Sequence, residues 1–320
     1  CMNIKIGGNN MKRLLIIIGL LGILSISCAK EVTANTKKLM ETNNFDLIKK
    51  NVKLNNGIYM PIIGIGVYSL TPSETEKSVY SALREGYRLI DTARIYGNEE
   101  AVGRAVKKSG VPREEIFITT KLWISDFENA EEKIEERLKK LDVNYIDLLL
   151  LHHPGRYDKE AYKAMERAVR KGKIRSIGLS NYYEKEFEEI MKIASITPAV
   201  VQNETHPYNQ QKEFKIFLSE YGTILESWFP LGGRKDADGR GGTVILFNDE
   251  VILKISKKYN KSPAQIILRW HLQSGNVAIP GSRNVNHIKE NIEIFDFKLD
   301  NEDMEKLNKL DRKESFATWL

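Results

Sequence analysis

Cysteine is almost absent: Cys1 and Cys28 are the only two in 320 residues. No disulfide framework and no thiolate metal site can be built in the main body. A body without cysteine survives in either redox compartment, so cysteine usage leaves its location open. A membrane-spanning run is missing too. The apolar stretch from Leu14 to Leu24 is shorter than the roughly 20 residues a spanning helix needs. Nor does one sign of charge dominate. The net charge is +6, and Lys5, Lys12 and Arg13 lie in an N-terminal extension. Elsewhere basic residues alternate with acids, as in Glu131-Glu132-Lys133 and Glu135-Glu136-Arg137. That is a solvated helix face and excludes a nucleic-acid stripe. The glycine-rich dinucleotide turn is also lacking. Gly64-Ile65-Gly66 has no third glycine and no helix starts there, so any nucleotide cofactor must be held in another way.

What is present is a soluble globular composition, 42% hydrophobic and 29% charged, long enough for one large α/β barrel or two ordinary domains. Met11-Lys12-Arg13 precedes the apolar run, and Ser25-Ile26-Ser27-Cys28 follows it. This order resembles a bacterial lipoprotein signal with Cys28 as the lipidated residue, although Ser25 stands where leucine is usual. An uncleaved N-terminal anchor is the alternative. Gly7-Gly8-Asn9-Asn10 reads like a translated ribosome-binding site, which makes Met11 the expected natural start. Residues 29–50 are polar and aperiodic, a flexible tether. The expected division is therefore 1–28 extension and signal, 29–50 tether and 51–320 folded body, beginning near Val52.

Two short alternating runs flank Asn55-Asn56-Gly57, a hairpin signal. After Pro61 a short apolar run, a loop and an amphipathic helix recur. The runs are 62–67, 88–91, 116–121, 146–152, 174–179, 199–202, 223–228 and 276–280. Helical patterns follow near 73–85, 99–109, 127–141, 158–170, 184–194, 210–220, 248–259 and 284–293, with an extra helix at 263–273. Thr71-Pro72-Ser73-Glu74 and Ser262-Pro263-Ala264-Gln265 are helix starts. Eight strands alternating with helices predict a (β/α)₈ TIM barrel with an N-terminal β-hairpin. A doubly wound sheet is the alternative.

Candidate chemistry collects at the C-terminal ends of the predicted strands, which converge on one mouth in a barrel. Asp91 and Tyr96 follow the second strand, Lys121 ends the third and His152 ends the fourth. On its own, the Asp91–Tyr96 stretch also fits a helix N-cap and a packing tyrosine. A lysine ending an apolar strand needs a partner, and Asp91 on the adjacent strand is the available counter-ion. A free phenol, with a pKa of about 10, is a poor acid at neutral pH. A neighbouring Lys⁺ would lower it. His152 would orient a substrate oxygen, while His153, in an extended segment, would point elsewhere. Such a group suits proton donation to a carbonyl beside a hydride source.

These residues sit in motifs that resemble the aldo-keto reductase family: GYRLIDTARIYGNE, FITTKLW, DLLLLHHP, IRSIGLSN, VVQNETHPY, ILRWHLQ and IPGSRNVNHIKENI, in family order from about Val52 onward. The resemblance implies a barrel that reduces aldehydes or ketones with NADPH (NADH accepted as an alternative). It implies Asp91, Tyr96, Lys121 and His152 as the catalytic four, with Tyr96 as general acid. It implies Ser180, Asn181 and Gln202 at the nicotinamide amide, Trp228 stacked on its ring, and Leu231 near the cofactor. Gly281, Ser282, Arg283, His287, Glu290 and Asn291 would bind the adenosine phosphate end. Tyr68, Trp123 and His153 would line the substrate pocket. Several positions depart from the family pattern. His153 stands where tryptophan is common, Trp228 where tyrosine is common and Phe229 where serine is common. Gly281 and His287 replace a lysine and an arginine, which weakens strict NADPH preference.

A monomer with a small carbonyl substrate, tied to the cell envelope through its N-terminus, is the expectation; a cytoplasmic protein is the alternative. Two other readings compete with the enzyme. One is a lipid-anchored binding or sensing protein on a reductase barrel. The other is a metal-dependent hydrolase, which would need more ligands than His152-His153. The segment LGGRKDADGRGGT, 231–243, reads either as a lid over the cofactor or as unstructured chain.

Overall fold

The computed structural model describes residues 45–233 and 242–317. The signal-like segment, Cys28, most of the tether and most of the glycine-rich segment thus lie outside the described residues. Three short strands, β1 (Phe45–Asp46), β2 (Asn51–Lys53) and β3 (Tyr59–Pro61), form an antiparallel sheet in that order. β2 and β3 are the expected hairpin. β1 falls within the stretch read as tether, because two residues carry no visible alternation.

Eight parallel strands follow: β4 (Ile65–Gly66), β5 (Leu89–Asp91), β6 (Phe117–Leu122), β7 (Ile146–Leu151), β8 (Ile174–Ser180), β9 (Val200–Glu204), β10 (Ile224–Trp228) and β11 (Val277–Ala278). Each pairs with its chain neighbour. The sheet then returns on itself. Ile63 bridges Ala278 in parallel, Gly64 N–H donates to Ala278 O at 2.9 Å, and Gly66 N–H donates to Pro280 O at 3.2 Å. This closure makes a (β/α)₈ barrel and removes the doubly wound alternative. At the seam a Cβ on Gly66 would lie 2.8 Å from Ile279 O, so the close approach of the strands requires glycine.

β6 and β7 are buried at every position, with the barrel interior on one side and helices on the other. That is why their sequences run apolar instead of alternating. The helix Pro72–Arg84 starts in a capping box between Thr71 and Glu74, and Pro263–Gln273 repeats it with Ser262 and Gln265. The helix Glu99–Ser109 ends at Gly110, whose φ is +72°. The helix expected at 127–141 opens as a 3₁₀ segment, Ile124–Asn129, before Ala130–Leu141. Two further helices were not expected: Gly242–Phe247 is too short to show a helical period, and Asn301–Asn308 carries too few apolar residues for one. Asp300, whose side chain caps the latter at Asp303 N–H, was the legible clue.

Candidate active site

Asp91 is the last residue of β5, not a helix N-cap, and it is buried. Lys121, next to last in β6, is fully buried. Its Nζ donates to Asp91 Oδ1 at 2.7 Å, to Asp91 Oδ2 at 2.8 Å and to Thr92 O at 2.9 Å. The partner that a buried ammonium demands is therefore in place. Burial pushes the Asp91 carboxyl up, and the bonds from Lys121 and Gln202 pull it back.

Tyr96 closes the 3₁₀ turn Arg94–Tyr96 that follows β5. Its ring is half-buried, and its Oη lies 3.5 Å from Lys121 Nζ, so the hydroxyl is at the inner end. The expected fall in the phenol pKa is not what this geometry produces. Burial raises it well above the ordinary value, and the charges of Asp91 and Glu226 add to the rise. Asp91 stands closer to Lys121 than the phenol does and claims most of its charge. In this state the phenol is a fully loaded proton donor.

β7 stops at Leu151, so strand alternation does not carry through to His152 and His153. Instead the two imidazoles stack 5.2 Å apart, 16° from parallel, and neither turns away. Burial first, then Lys121 and His153, lower the His152 imidazole to about 2. His152 is thus a neutral hydrogen-bonding ring, and its buried Nδ1 has no hydrogen-bond partner among the described residues. It lies edge-on to Tyr96 at 5.7 Å and to Trp123 at 5.1 Å. Tyr68 packs against Tyr96 at 5.1 Å. The three residues expected to line the substrate pocket therefore border Tyr96 and His152.

Asn181 joins the residues expected at a nicotinamide to the group around Asp91 and His152. Its φ is +62°, a left-handed turn that asparagine tolerates. Its Nδ2 donates to His152 O at 2.8 Å and to Ser180 Oγ at 3.2 Å, and lies 3.3 Å from His153 Nε2. Its Oδ1 accepts from Trp228 Nε1 at 3.1 Å. Gln202 Nε2 donates to Asp91 Oδ2 and to Glu226 Oε2, each at 2.8 Å, so its Oε1 is the atom left to accept. Amide donors and acceptors beside a flat indole match the chemistry of a carboxamide-bearing aromatic ring, so this end fits a nicotinamide.

Farther along the chain, the Gly281–Asn291 group surrounds the start of the helix Val285–Ile292. Ser282 Oγ accepts from Asn284 N–H at 3.1 Å, and Gly281 and His287 are exposed. Arg283 is not a lone cation: its Nη1 donates to Glu74 Oε1 at 3.1 Å. Glu290 accepts from Ser262 Oγ, which ties it to the start of the preceding helix, Pro263–Gln273, and Asn291 is buried. Phe229, at φ +49°, packs its ring 4.9 Å from Trp228 and 6.2 Å from Tyr68. Leu231 packs against the hydrophobic core nearby.

Sequence reasoning missed three supporting groups. Asp126 accepts from Trp123 N–H at 3.0 Å and lies 3.4 Å from Arg94 Nε, linking the two loops that carry Trp123 and Tyr96. Glu226, in Ile224-Leu225-Glu226-Ser227-Trp228, is a charged residue inside a buried strand, a signal legible in the sequence. Glu204 accepts from Phe316 N–H at 2.7 Å and from Ser315 Oγ, which pins the C-terminal segment to the end of β9. Phe316 stacks on His206 at 4.5 Å, and a Cβ on Gly242 would lie 2.0 Å from its ring.

Residues 62–312 match the family model described as the Aldo/keto reductase family. A "Glyoxal reductase" of Bacillus subtilis (strain 168) is 44% identical over 271 residues, covering 83% of this chain and 95% of that protein. "Methylglyoxal reductase DkgA" of Yersinia pestis is 42% identical, over 81% of this chain and 92% of its own length. Among solved structures, an aldo/keto reductase from Brucella melitensis superposes with a TM-score of 0.76 at 41% identity, covering 82% of this chain and 97% of that one. MGS-M4, an aldo-keto reductase from a deep-sea metagenome library, reaches a TM-score of 0.79 at 39% identity, covering 84% and 97%.

Proposed function

The chain belongs to the aldo/keto reductase family, and on that footing we propose that it reduces aldehydes or ketones to alcohols with NADPH, Tyr96 acting as the general acid. Small 1,2-dicarbonyls of the glyoxal and methylglyoxal type are the first substrates to try, because relatives above 40% identity carry those names. The observation that carries the reading is the placement of Lys121 Nζ between Asp91 and the Tyr96 hydroxyl.

When bound, the cofactor supplies a hydride for the carbonyl carbon. The chain's own residues manage the oxygen. His152, neutral, offers a hydrogen bond to it, and Tyr96 Oη holds the proton it must receive. Lys121 then stands 3.5 Å from the phenolate left behind, with Asp91 holding the ammonium in place. Solvent returns the proton to Tyr96. Trp123, His153 and Tyr68 border the reacting carbonyl. Ser180, Asn181, Gln202 and Trp228 hold the nicotinamide end. Ser282, Arg283 and the backbone N–H groups opening Val285–Ile292 receive the adenosine phosphate. The test is loss of NADPH absorbance with methylglyoxal or a generic aldehyde; no turnover with any carbonyl tried, by protein that binds NADPH, overturns the reading. The basic and apolar run ending at Cys28 supports a lipid-anchored envelope location.

A further inference from the structure

Two carboxyl groups and one ammonium occupy the floor of the mouth. Asp91 takes both of its close bonds from Lys121. Glu226, on β10, is completely buried, and its charge acts on Asp91, Lys121 and the phenol of Tyr96. A single amide nitrogen, Gln202 Nε2, donates to both carboxyls at 2.8 Å. Lys121 is already held by Asp91 and balances one negative charge, not two. The other oxygen of the glutamate, Oε1, is buried with no hydrogen-bond partner among the described residues. A charged oxygen there would be neither solvated nor paired, whereas a neutral O–H in the same place costs far less.

We propose that Glu226 is a positioning residue of the reductase site: with its proton on it fixes Gln202 against Asp91 and leaves the Asp91–Lys121 pair electrically balanced, and on losing that proton it sets a second negative charge against Tyr96 and slows carbonyl reduction. The proton sits on Oε1, and Oε2 accepts from Gln202. The phenolate that Tyr96 becomes after giving up its proton is the species this second charge opposes. Burial, and after it the charge of Asp91, push the Glu226 carboxyl up to about 8, which puts the change at the alkaline edge of the ordinary range. This inference rests on the reductase reading.

Glu226→Gln keeps the shape and the acceptor for Gln202 but cannot ionise. The single-turnover rate of methylglyoxal reduction by bound NADPH, followed from about pH 6 to about pH 10, should fall above about pH 8 in the wild type. In Glu226→Gln that fall should move up by at least about one pH unit, with rates near pH 6.5 within about threefold of each other. Superimposable profiles in two active proteins overturn the proposal. A second readout needs no turnover. The infrared C=O stretch of a protonated carboxylic acid should be present in the wild type at pH 7, fade toward pH 10, and be missing from Glu226→Gln. Its absence from the wild type at pH 7 overturns the proposal even if the variant does not fold. A wild type that shows the band but reduces no carbonyl overturns the reductase reading and this role with it, an outcome distinct from either of the others.

Discussion

Lys121 Nζ stands 2.7 Å from Asp91 Oδ1 and 3.5 Å from Tyr96 Oη, so its charge serves the carboxylate first and the phenol second. The phenol accordingly keeps its proton in this state, as the proposed role of general acid requires. Tyr96→Phe removes that proton and keeps the ring. Carbonyl reduction should fall by at least about 10²-fold, with NADPH affinity nearly unchanged. Paired turnover and cofactor-binding measurements decide it, and near-normal turnover would refute the assigned acid.

Arg283 must leave or share Glu74 to meet an adenosine phosphate. Arg283→Ala should weaken NADPH by about tenfold, the lower end for a charge-assisted hydrogen bond, and leave NADH nearly unchanged. Glu74→Gln keeps the cap of the helix Pro72–Arg84 but frees the guanidinium. It should tighten NADPH by less than about tenfold. Dissociation constants for both cofactors test this; equal losses of NADPH and NADH in Arg283→Ala would show that the residue does not read the phosphate.

His152 is held neutral, its imidazole lowered to about 2 from an ordinary 6.5. Above pH 6.5 neither the folded nor the unfolded chain protonates it, and it contributes no pH dependence. Below that, the unfolded chain binds a proton that the folded chain refuses, so stability falls as the solution is acidified. The slope is about 1.4 kcal/mol per pH unit for one such group. His271, fully buried and lowered to about 3, adds a second. Thermal midpoints from pH 8 down to about pH 5 should show His152→Gln losing part of this slope and keeping the rest. An unchanged slope would contradict the burial of the neutral ring.

Glu99 and Arg137 form an ion pair at 3.1 Å with both side chains buried, and Thr120 Oγ1 donates to Glu99 Oε1 at 2.6 Å. Among the described residues Arg137 Nη1 makes no well-directed hydrogen bond, so the pair is held mainly by charge. Arg137→Met should cost about 3 kcal/mol, the low end for stranding one partner of a buried pair. Adding Glu99→Gln should recover part of that loss. Denaturant unfolding of the single and double variants measures both, and additive losses would mean that the two side chains do not interact.

Cys28 carries the proposal of lipidation. Fatty-acid labelling should appear in the wild type and vanish in Cys28→Ala; equal labelling of both, or of neither, would end it. A chain starting at residue 43 should still fold and bind NADPH, because the barrel core is built from later residues.

The barrel was legible because its strands are short apolar runs between capped amphipathic helices, and all eight overlap the expected segments, with only β6, β8 and β9 running past the ends of theirs. The pairing of Asp91 with Lys121 was legible from the cost of an unpaired buried ammonium. The phenol's upward shift was not, because it comes first from how deeply the hydroxyl is buried and then from the acids packed around it, and neither shows in a local pattern. The stacking of His152 and His153 escaped for a related reason: the point where β7 ends decides which way both rings face. Glu226 was visible as a charge in a buried strand, but its sharing of Gln202 with Asp91 joins residues 111 and 24 positions away from that glutamine, beyond any local pattern.

Phe316 touches two regions far apart in the chain, His206 beyond β9 and the backbone at Gly242. The C-terminal segment and the glycine-rich connection after β10 are therefore not independent modules. A tail borrowed from a relative would arrive without the neighbour that its own aromatic was shaped to fit, and any residue larger than glycine at 242 would evict the native one. Altering this enzyme's preferences by loop transplantation should succeed only when both segments travel together, and lineages that diverge at one should carry compensating change at the other.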